Sequence, residues 1–451
     1  MTRKFKTLHI TNYYHKTSGG ISTSFRNLMA AAERHRRHVR LIVPGEVEGV
    51  EDVNEFAKMY FVPARHSPIF DKRYRVMMPW QYMVTDSPIR KILLEEMPDV
   101  IEVTDKYTLS ILGPMIRTNN FKRLGRPMLI HFSCERMDDN VASFLSSGRL
   151  GKWLSRSVMA KYTLPSFDFH IANSAYTAEE FLDSVKPYLK KNSSKLNRTW
   201  RMLKAPRVPL SERIRVCPRG VDAKLFTPDR RSDNVRAQMI ELADANRDAT
   251  LLLYAGRISP EKNIGLLAEM MKILADDPDL DFRLLIAGDG PQAEWLKQEA
   301  ERIAKYKIVL LGHLDKERLA DLYANADVFV HPNPKEPFGI APLEAMASGV
   351  ATVAPRSGGI LSYATDENCW LVDPNPKAFA DAVKGAASNE VERRRRTEAA
   401  VATARANTRE HSTDRLFATY DEIYEDFLQR RELFTDTAAA RDFDYSQLID
   451  G

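Results

Sequence analysis

Short apolar runs of four to seven residues recur along the chain, and helix-forming polar stretches separate many of them. In the first half they are TLHITNY (7–13), VRLIV (39–43), DVIEV (99–103), PMLIHF (127–132) and FHIAN (169–173). After a polar stretch around 223–249 the alternation restarts with TLLLYA (250–255), RLLIAG (283–288), KIVLLG (307–312), DVFVHP (327–332), VATVAP (350–355) and CWLV (369–372). Runs this short and this continuously apolar fit strands buried on both faces. Repeated β-α units build parallel sheets covered by helices. Two such series predict an α/β chain of two doubly wound, Rossmann-like domains facing a central cleft. The N-terminal domain is expected over 1–222 and the C-terminal domain over 223–409. A helix at about 410–431 is expected to pack back on the first domain, ahead of a polar tail over 432–451. Ligands of such sheets sit outside the carboxyl ends of the strands, so the residues that follow each strand are the candidates.

Composition narrows the class. A chain of 451 residues with 44% hydrophobic and 28% charged residues suits a globular protein of two or three domains. No apolar run reaches the ~18 residues of a membrane span. The start, MTRKFKTLHITNYYHK, is basic, and His9 and Asn12 interrupt any signal-peptide core. Cys134, Cys217 and Cys369 are scattered without C-x-x-C spacing. That argues for a reducing, cytoplasmic setting without disulfides or structural zinc. Net charge is +5, but residues 1–222 carry +15 and the remainder −10, an asymmetry that predicts different partners for the two halves.

Candidate chemistry clusters after the second series of strands. Gly256-Arg257-Ile258-Ser259-Pro260-Glu261-Lys262 places two cations beside a helix N-terminus, a site for a diphosphate or a solvated basic loop. Gly288-Asp289-Gly290-Pro291 lets backbone approach a ligand or makes an ordinary strand-to-helix turn. His313-Leu314-Asp315 presents groups to a nucleobase edge, or Asp315 is a helix N-cap. In EPFGIAPLEAMASG (336–349), Glu336 precedes a helix that starts near Gly339 and Ile340, and Glu344 lies inside it. Both carboxylates can face one ligand lying along that helix N-terminus.

The segment E-P-F-G-I-x-P-L-E-A-M-A-x-G resembles the E-x7-E segment of the retaining glycosyltransferase family 4, enzymes with the GT-B fold. G-R-x4-K at 256–262, A-G-D-G-P at 287–291, L-G-H-L at 311–314, Y-A-N-A-D-V-F-V-H-P at 323–332 and Gly358-Gly359 follow in that family's order. The resemblance implies that Glu336 lies by the donor-sugar hydroxyls and Glu344 binds the nucleotide ribose. It implies that Arg257 and Lys262 grip the diphosphate, that Gly19 and Gly20 approach the donor phosphates, and that His131 lies near the transferred sugar. Gly256, Gly288, His313, Leu314, Asp315, Phe338, Gly339 and Ile340 complete the implied nucleotide-sugar site. Retaining chemistry of this kind uses no cofactor and no metal, so the Asp-x-Asp pairs at 442–444 and 277–281 are not expected to be metal ligands. A guanine could donate to Asp315, which favours a GDP-sugar over a UDP-sugar. Tyr60–Met83 and HFSCERMDD (131–139) are loosely similar to bacterial mannosyltransferases acting on lipids, which points to mannose.

The charge asymmetry bears on the acceptor. Residues 184–219 hold eleven Lys and Arg and one acid, Glu212, and Trp200 lies among them. Upstream, GRLGKWLSRSVMAKY (148–162) sets Trp153, Leu154 and Val158 against Arg149, Lys152, Arg156 and Lys161. A basic amphipathic helix with Trp suits an anionic membrane surface, and the alternative is a core helix with a solvated basic face. Lys152, Trp153, Arg156, Lys161 and Trp200 are the candidate membrane contacts, which would place the protein peripherally at the inner face of a membrane. Nucleic acid would welcome the charge, but no binding motif for it accompanies the cluster. A UDP-sugar enzyme with a soluble acceptor and a sugar-nucleotide-binding protein without transferase activity are the other readings.

Overall fold

The computed structural model describes residues 5–15, 20–67, 74–144, 148–191, 193–303 and 307–448. The chain divides into two compact units, Met1–Cys217 with Thr413–Gly451, and Pro218–Ser412.

The strands of the first unit are β1 (Thr7–Ile10), β2 (Val39–Gly45), β3 (Gly49–Asn54), β4 (Ala57–Pro63), β5 (Arg65–His66), β6 (Arg75–Val76), β7 (Val100–Val103), β8 (Met128–Ser133), β9 (Phe169–Ala172) and β10 (Ile214–Val216). Eight form one sheet in the order β10-β9-β8-β7-β1-β2-β4-β3. Every pairing in it is parallel except β3 with β4. All five apolar runs of the first half lie in this sheet. The β3–β4 hairpin has no counterpart in the sequence reading. Its outer strand, GVEDVN, is mostly exposed and acidic, so it lacks the apolar signature of a buried strand and suits a sheet edge.

The order reverses between β1 and β7. There Asn12, after β1, donates to Asp105, after β7, at 3.1 Å. One buried polar network lies in the middle of this sheet. His9 Nδ1 is 2.9 Å from Glu102 Oε1, and Tyr420 donates to Glu102 Oε2 at 2.5 Å. Tyr420 belongs to the helix Arg409–Gln429, which buries Phe417, Tyr420, Ile423 and Phe427 along one face. These side chains share a core with Phe25, Val39, Val100 and Phe169 of the same unit. Full burial of each large apolar side chain is worth ~1.5–3 kcal/mol.

The described part of the segment read as a polar tail, residues 432–448, is packed. Phe434 and Tyr445 are buried, and the Tyr445 hydroxyl donates to the Ala205 carbonyl at 2.7 Å. Sparse apolar residues, far apart in sequence, hold it down, and composition averages over them.

The second unit contains β11 (Thr250–Ala255), β12 (Phe282–Ala287), β13 (Ile308–Gly312), β14 (Val328–Val330), β15 (Ala351–Pro355) and β16 (Trp370–Val372). They form one parallel sheet in the order β13-β12-β11-β14-β15-β16. Its direction of winding reverses between β11 and β14. The two chain segments that enter and leave this unit meet at a Val221–Thr408 bridge and an Arg409–Asp222 ion pair of 2.7 Å.

Candidate active site

The switch between β11 and β14 is where a doubly wound sheet holds its ligand, and the candidate residues converge there. After β11 the chain turns through Gly256 and Arg257 into a short helical turn, Pro260–Lys262. After β14 it runs through His331, Asn333 and Glu336 to the helix Ile340–Ala347. Lys262 Nζ lies 2.7 Å from Glu336 Oε2 and bridges the two strand ends. Asn333 donates to the same oxygen at 2.9 Å. Burial alone would raise the Glu336 pKa. The charge of Lys262, that of His331 once it protonates in acid, and the hydrogen bonds from Lys262 and Asn333 outweigh it and carry it down to about 2. Glu336 is therefore a fixed anion at neutral pH. Arg257 lies on the same turn as Lys262, with Nη1 at 3.9 Å from Glu261.

The segment that carries Glu336 is clamped from outside. Gly359 donates its N–H to the Glu336 carbonyl at 2.7 Å, and Ser357 donates to the Pro334 carbonyl at 3.0 Å. Gly339 sits at φ +86°, a conformation that side chains other than glycine rarely adopt, just before the helix begins. Tyr363 donates to its carbonyl. Phe338, expected at the nucleotide sugar, instead points into the core against Tyr363, with ring centroids 5.3 Å apart. Ile340 is partly buried against the same core.

Glu344 lies further along this helix. The Tyr323 hydroxyl approaches its Oε2 at 3.4 Å. Burial raises the Glu344 pKa to about 7, against the opposing effects of Arg409, Lys316 and the Tyr323 hydrogen bond. The pair flagged by sequence thus differs in kind: Glu336 is locked ionised and Glu344 titrates near neutrality.

The glycines after β11 and β12 have a structural reason. A Cβ on Gly288 would stand 1.8 Å from the Gly256 carbonyl oxygen, so these two turns pack backbone to backbone. That close approach accounts for Gly288 without a ligand, and at Gly256, where φ is +155°, a Cβ would stand 2.9 Å from the Tyr254 hydroxyl. His313 and Leu314 follow β13, His313 exposed and Leu314 partly buried. Asp315, the residue expected to read guanine, is the N-cap of the helix Lys316–Asn325 and accepts from the Arg318 N–H at 2.8 Å. The guanine preference drawn from it loses its footing.

The expected contributions of the first unit fare differently. Gly19 lies outside the described residues. Gly20 is the exposed first residue of the helix Gly20–His35. His131, in β8, is wholly buried among Phe167, His170 and Phe181, and burial holds its pKa well below the usual range. With no exposed surface, its ring is a core group in this structure.

Trp200 is likewise a core residue. It is fully buried, donates to the Ala160 carbonyl at 2.8 Å and packs edge-on against Tyr445, which removes it from any membrane face. The helix Gly148–Val158 does carry an outward apolar face. Leu150, Trp153 and Leu154 are 62%, 61% and 50% exposed, while small residues, Gly151, Ser155 and Ser157, face inward. Lys152 pairs with Asp139 at 3.4 Å and Arg156 with the buried Asp138 at 3.0 Å. Lys161 lies 5.5 Å over the Tyr188 ring. Lys152 and Arg156 thus tie the helix to Asp139 and Asp138, and Lys161, beyond its end, faces Tyr188, so the three are not free lipid contacts.

Among the described residues no group of three or more His, Cys, Asp and Glu side chains could hold a metal ion. Asp277 pairs with Lys384 at 2.6 Å, Asp281 with Arg283 at 3.0 Å, and Asp444 accepts from Ser446 at 2.7 Å.

Residues 237–403 match the family model for glycosyl transferases group 1. The chain is 29% identical over 392 residues to the GDP-mannose-dependent alpha-(1-6)-phosphatidylinositol dimannoside mannosyltransferase of Mycobacterium tuberculosis. The match covers 87% of this chain and 90% of that protein. Sucrose-phosphate synthase from Thermosynechococcus elongatus has a similar structure, with a TM-score of 0.67 at 18% identity over 93% of this chain and 100% of that one. Anabaena HepE in complex with UDP and glucose gives 0.63 at 15% identity over 92% and 99%. The chain is a GT-B protein of two Rossmann-like domains. It is a glycosyltransferase whose residues 237–403 form a group 1 domain.

Proposed function

We propose that this glycosyltransferase is a retaining, metal-independent mannosyltransferase that takes mannose from GDP-mannose. Its acceptor is a membrane lipid or lipid-linked glycan at an anionic inner membrane face. The observation that carries the donor half is the pairing of Lys262 with Glu336 at the switch point, with Arg257 on the same turn. Transfer breaks the bond between the anomeric carbon and the β-phosphate oxygen, and negative charge grows on the nucleoside diphosphate. Lys262 and Arg257 are fixed cations that stabilise that charge most in the transition state, the role a divalent ion would otherwise fill. Glu336 orients the sugar hydroxyls. The acceptor hydroxyl bonds to the anomeric carbon from the face the phosphate leaves and gives its proton to the departing phosphate oxygen, so no protein base is required.

The mannose and lipid halves draw on the mycobacterial relative, whose name states GDP-mannose dependence and a phosphatidylinositol dimannoside. The exposed Leu150, Trp153 and Leu154 support a membrane partner. No helix among the described residues is long and apolar enough to cross a membrane. A UDP-sugar donor with a soluble acceptor is the second reading, favoured by the likeness to HepE with UDP and glucose. Slow donor hydrolysis across a panel of GDP- and UDP-sugars decides between them. GDP-mannose is expected to be cleaved fastest, and preferential cleavage of a UDP-sugar would overturn the donor assignment.

Glu344 yields a pH test of the ribose contact. A pKa of about 7 leaves the carboxyl protonated below neutrality and ionised above it. The anion accepts two ribose hydroxyls, so bare GDP should bind more tightly as pH rises from 6 to 8. The affinity should fall ~10-fold per pH unit below the pKa. Glu344→Gln should flatten the profile in calorimetry, whereas Glu336→Gln should leave both the profile and bare-nucleotide affinity near wild type. Equal losses of GDP affinity in the two variants would contradict the split of roles.

A further inference from the structure

His331 stands beside the Lys262–Glu336 pair, and its chemistry is unexplained by the sheet. It follows β14, its backbone N–H bonds the Val353 carbonyl at 2.9 Å, and its side chain is 5% exposed. Neither ring nitrogen forms a hydrogen bond among the described residues. Leaving a buried polar group unpaired is costly, so such a group generally has a partner in some functional state. Glu336 Oε2 lies 3.7 Å from Nε2. That oxygen already receives Lys262 and Asn333 at hydrogen-bond distance. Burial, helped by Lys262 and opposed by Glu336, lowers the imidazole pKa to about 4. The ring is thus neutral at neutral pH, with one N–H to give.

The donor chemistry creates a conflict that this ring can resolve. A diphosphate, with its greater negative charge, competes with Glu336 for the Lys262 ammonium and draws it off the 2.7 Å contact. When it turns to the phosphates, Oε2 loses its cation at the moment the carboxylate must hold the sugar. We propose that His331 is a positioning residue: as the diphosphate draws Lys262 away, its Nε2–H moves under 1 Å onto Glu336 Oε2 and takes the vacated place. This inference rests on the reading of Lys262 as a diphosphate ligand. It makes Lys262 and His331 alternate partners of one oxygen, with Asn333 constant. It accounts for a buried imidazole with unused nitrogens at near-contact distance from a fixed anion, because a ring already bonded elsewhere could not serve as the replacement.

The test is a mutant cycle read by GDP-mannose hydrolysis and by calorimetry with bare GDP. His331→Phe keeps ring volume and removes the N–H, and it should lower kcat ~10- to 100-fold while GDP affinity stays near wild type. His331→Asn, which can still donate, should recover most of that loss. In a Glu336→Gln background the His331→Phe change should have little further effect, because the group it positions is gone. Turnover of His331→Phe at the wild-type rate would overturn the proposal. So would a full, additive loss in the Glu336→Gln background, a matching loss of bare GDP affinity, or the absence of rescue by Asn. Melting temperatures check that each variant is folded, and the Asn variant carries the test should Phe destabilise the site. Lys262→Ala is measured alongside. Undiminished GDP affinity there would remove the diphosphate reading itself, whereas a normal His331→Phe enzyme beside a weakened Lys262→Ala would remove only the relay.

Discussion

Lys262→Ala is expected to lower kcat for GDP-mannose cleavage by ~10²–10³, with the fold intact. Two effects act together. The first is the loss of a fixed cation at the departing diphosphate, where charge grows and the interaction is worth most in the transition state. The second reaches through Glu336. Lys262 is the largest of the influences that offset burial at that carboxyl, whose pKa it helps hold at about 2. Without it the pKa climbs and, before the donor arrives, Asn333 alone bonds Oε2, so the free enzyme holds Glu336 less firmly. Arg257→Ala removes the first effect without the second, so it should cost less in kcat/KM than Lys262→Ala. Single-turnover kinetics with GDP-mannose, beside calorimetry with GDP, separates chemistry from binding. Near wild-type turnover in both variants would remove the diphosphate assignment.

Much of this site was legible in sequence because buried parallel strands have a plain signature. TLLLYA and DVFVHP are apolar along nearly their whole length, so β11 and β14 could be found and the residues after them examined. Gly256–Lys262 and His331–Glu336 then fell at neighbouring strand ends, since the sheet order brings β14 beside β11. What sequence could not resolve was the direction in which a given face points. Trp153 and Trp200 both sit among basic residues, yet one is 61% exposed and the other fully buried. Periodicity says which residues share a helix face. It does not say that Gly151, Ser155 and Ser157 form the inward one, because small residues pack a helix closely against a neighbour without any apolar signal. A Cβ on Gly151 would lie 3.1 Å from Val141 Cγ1, which shows how close that packing is. Asp315 illustrates the same limit at shorter range. Its position suits a base contact and an N-cap equally, and only the Arg318 N–H at 2.8 Å assigns it to the cap. His331 was visible within its motif, but its unpaired nitrogens depend on what surrounds the ring in three dimensions.

Replacing Leu150, Trp153 and Leu154 together by Ser is expected to abolish binding to anionic vesicles. These three side chains expose more apolar surface than a solvated helix needs. Burying their outward halves in a bilayer interface is worth ~1 kcal/mol or more each, about 100-fold or more in partition when combined. Arg149, exposed on the same helix, adds an attraction of ~1 kcal/mol to an anionic surface, and salt should weaken it as the Debye length contracts from ~10 Å at 0.1 M to ~3 Å at 1 M. Reversing Lys152 and Arg156 would be a poor test. Glu at position 156 would face the buried Asp138, and Glu at 152 would face Asp139, so the helix itself would be displaced. The wild type should co-sediment with phosphatidylglycerol or phosphatidylinositol vesicles, bind neutral ones weakly, and be partly released by salt. The triple Ser variant should stay in solution at every salt concentration while its GDP-mannose hydrolysis is unchanged, since Arg257, Lys262, Glu336 and Glu344 lie in the other unit. Equal partition of wild type and variant would take this helix out of the account. Failure of the wild type to bind anionic vesicles at low salt would favour a soluble acceptor.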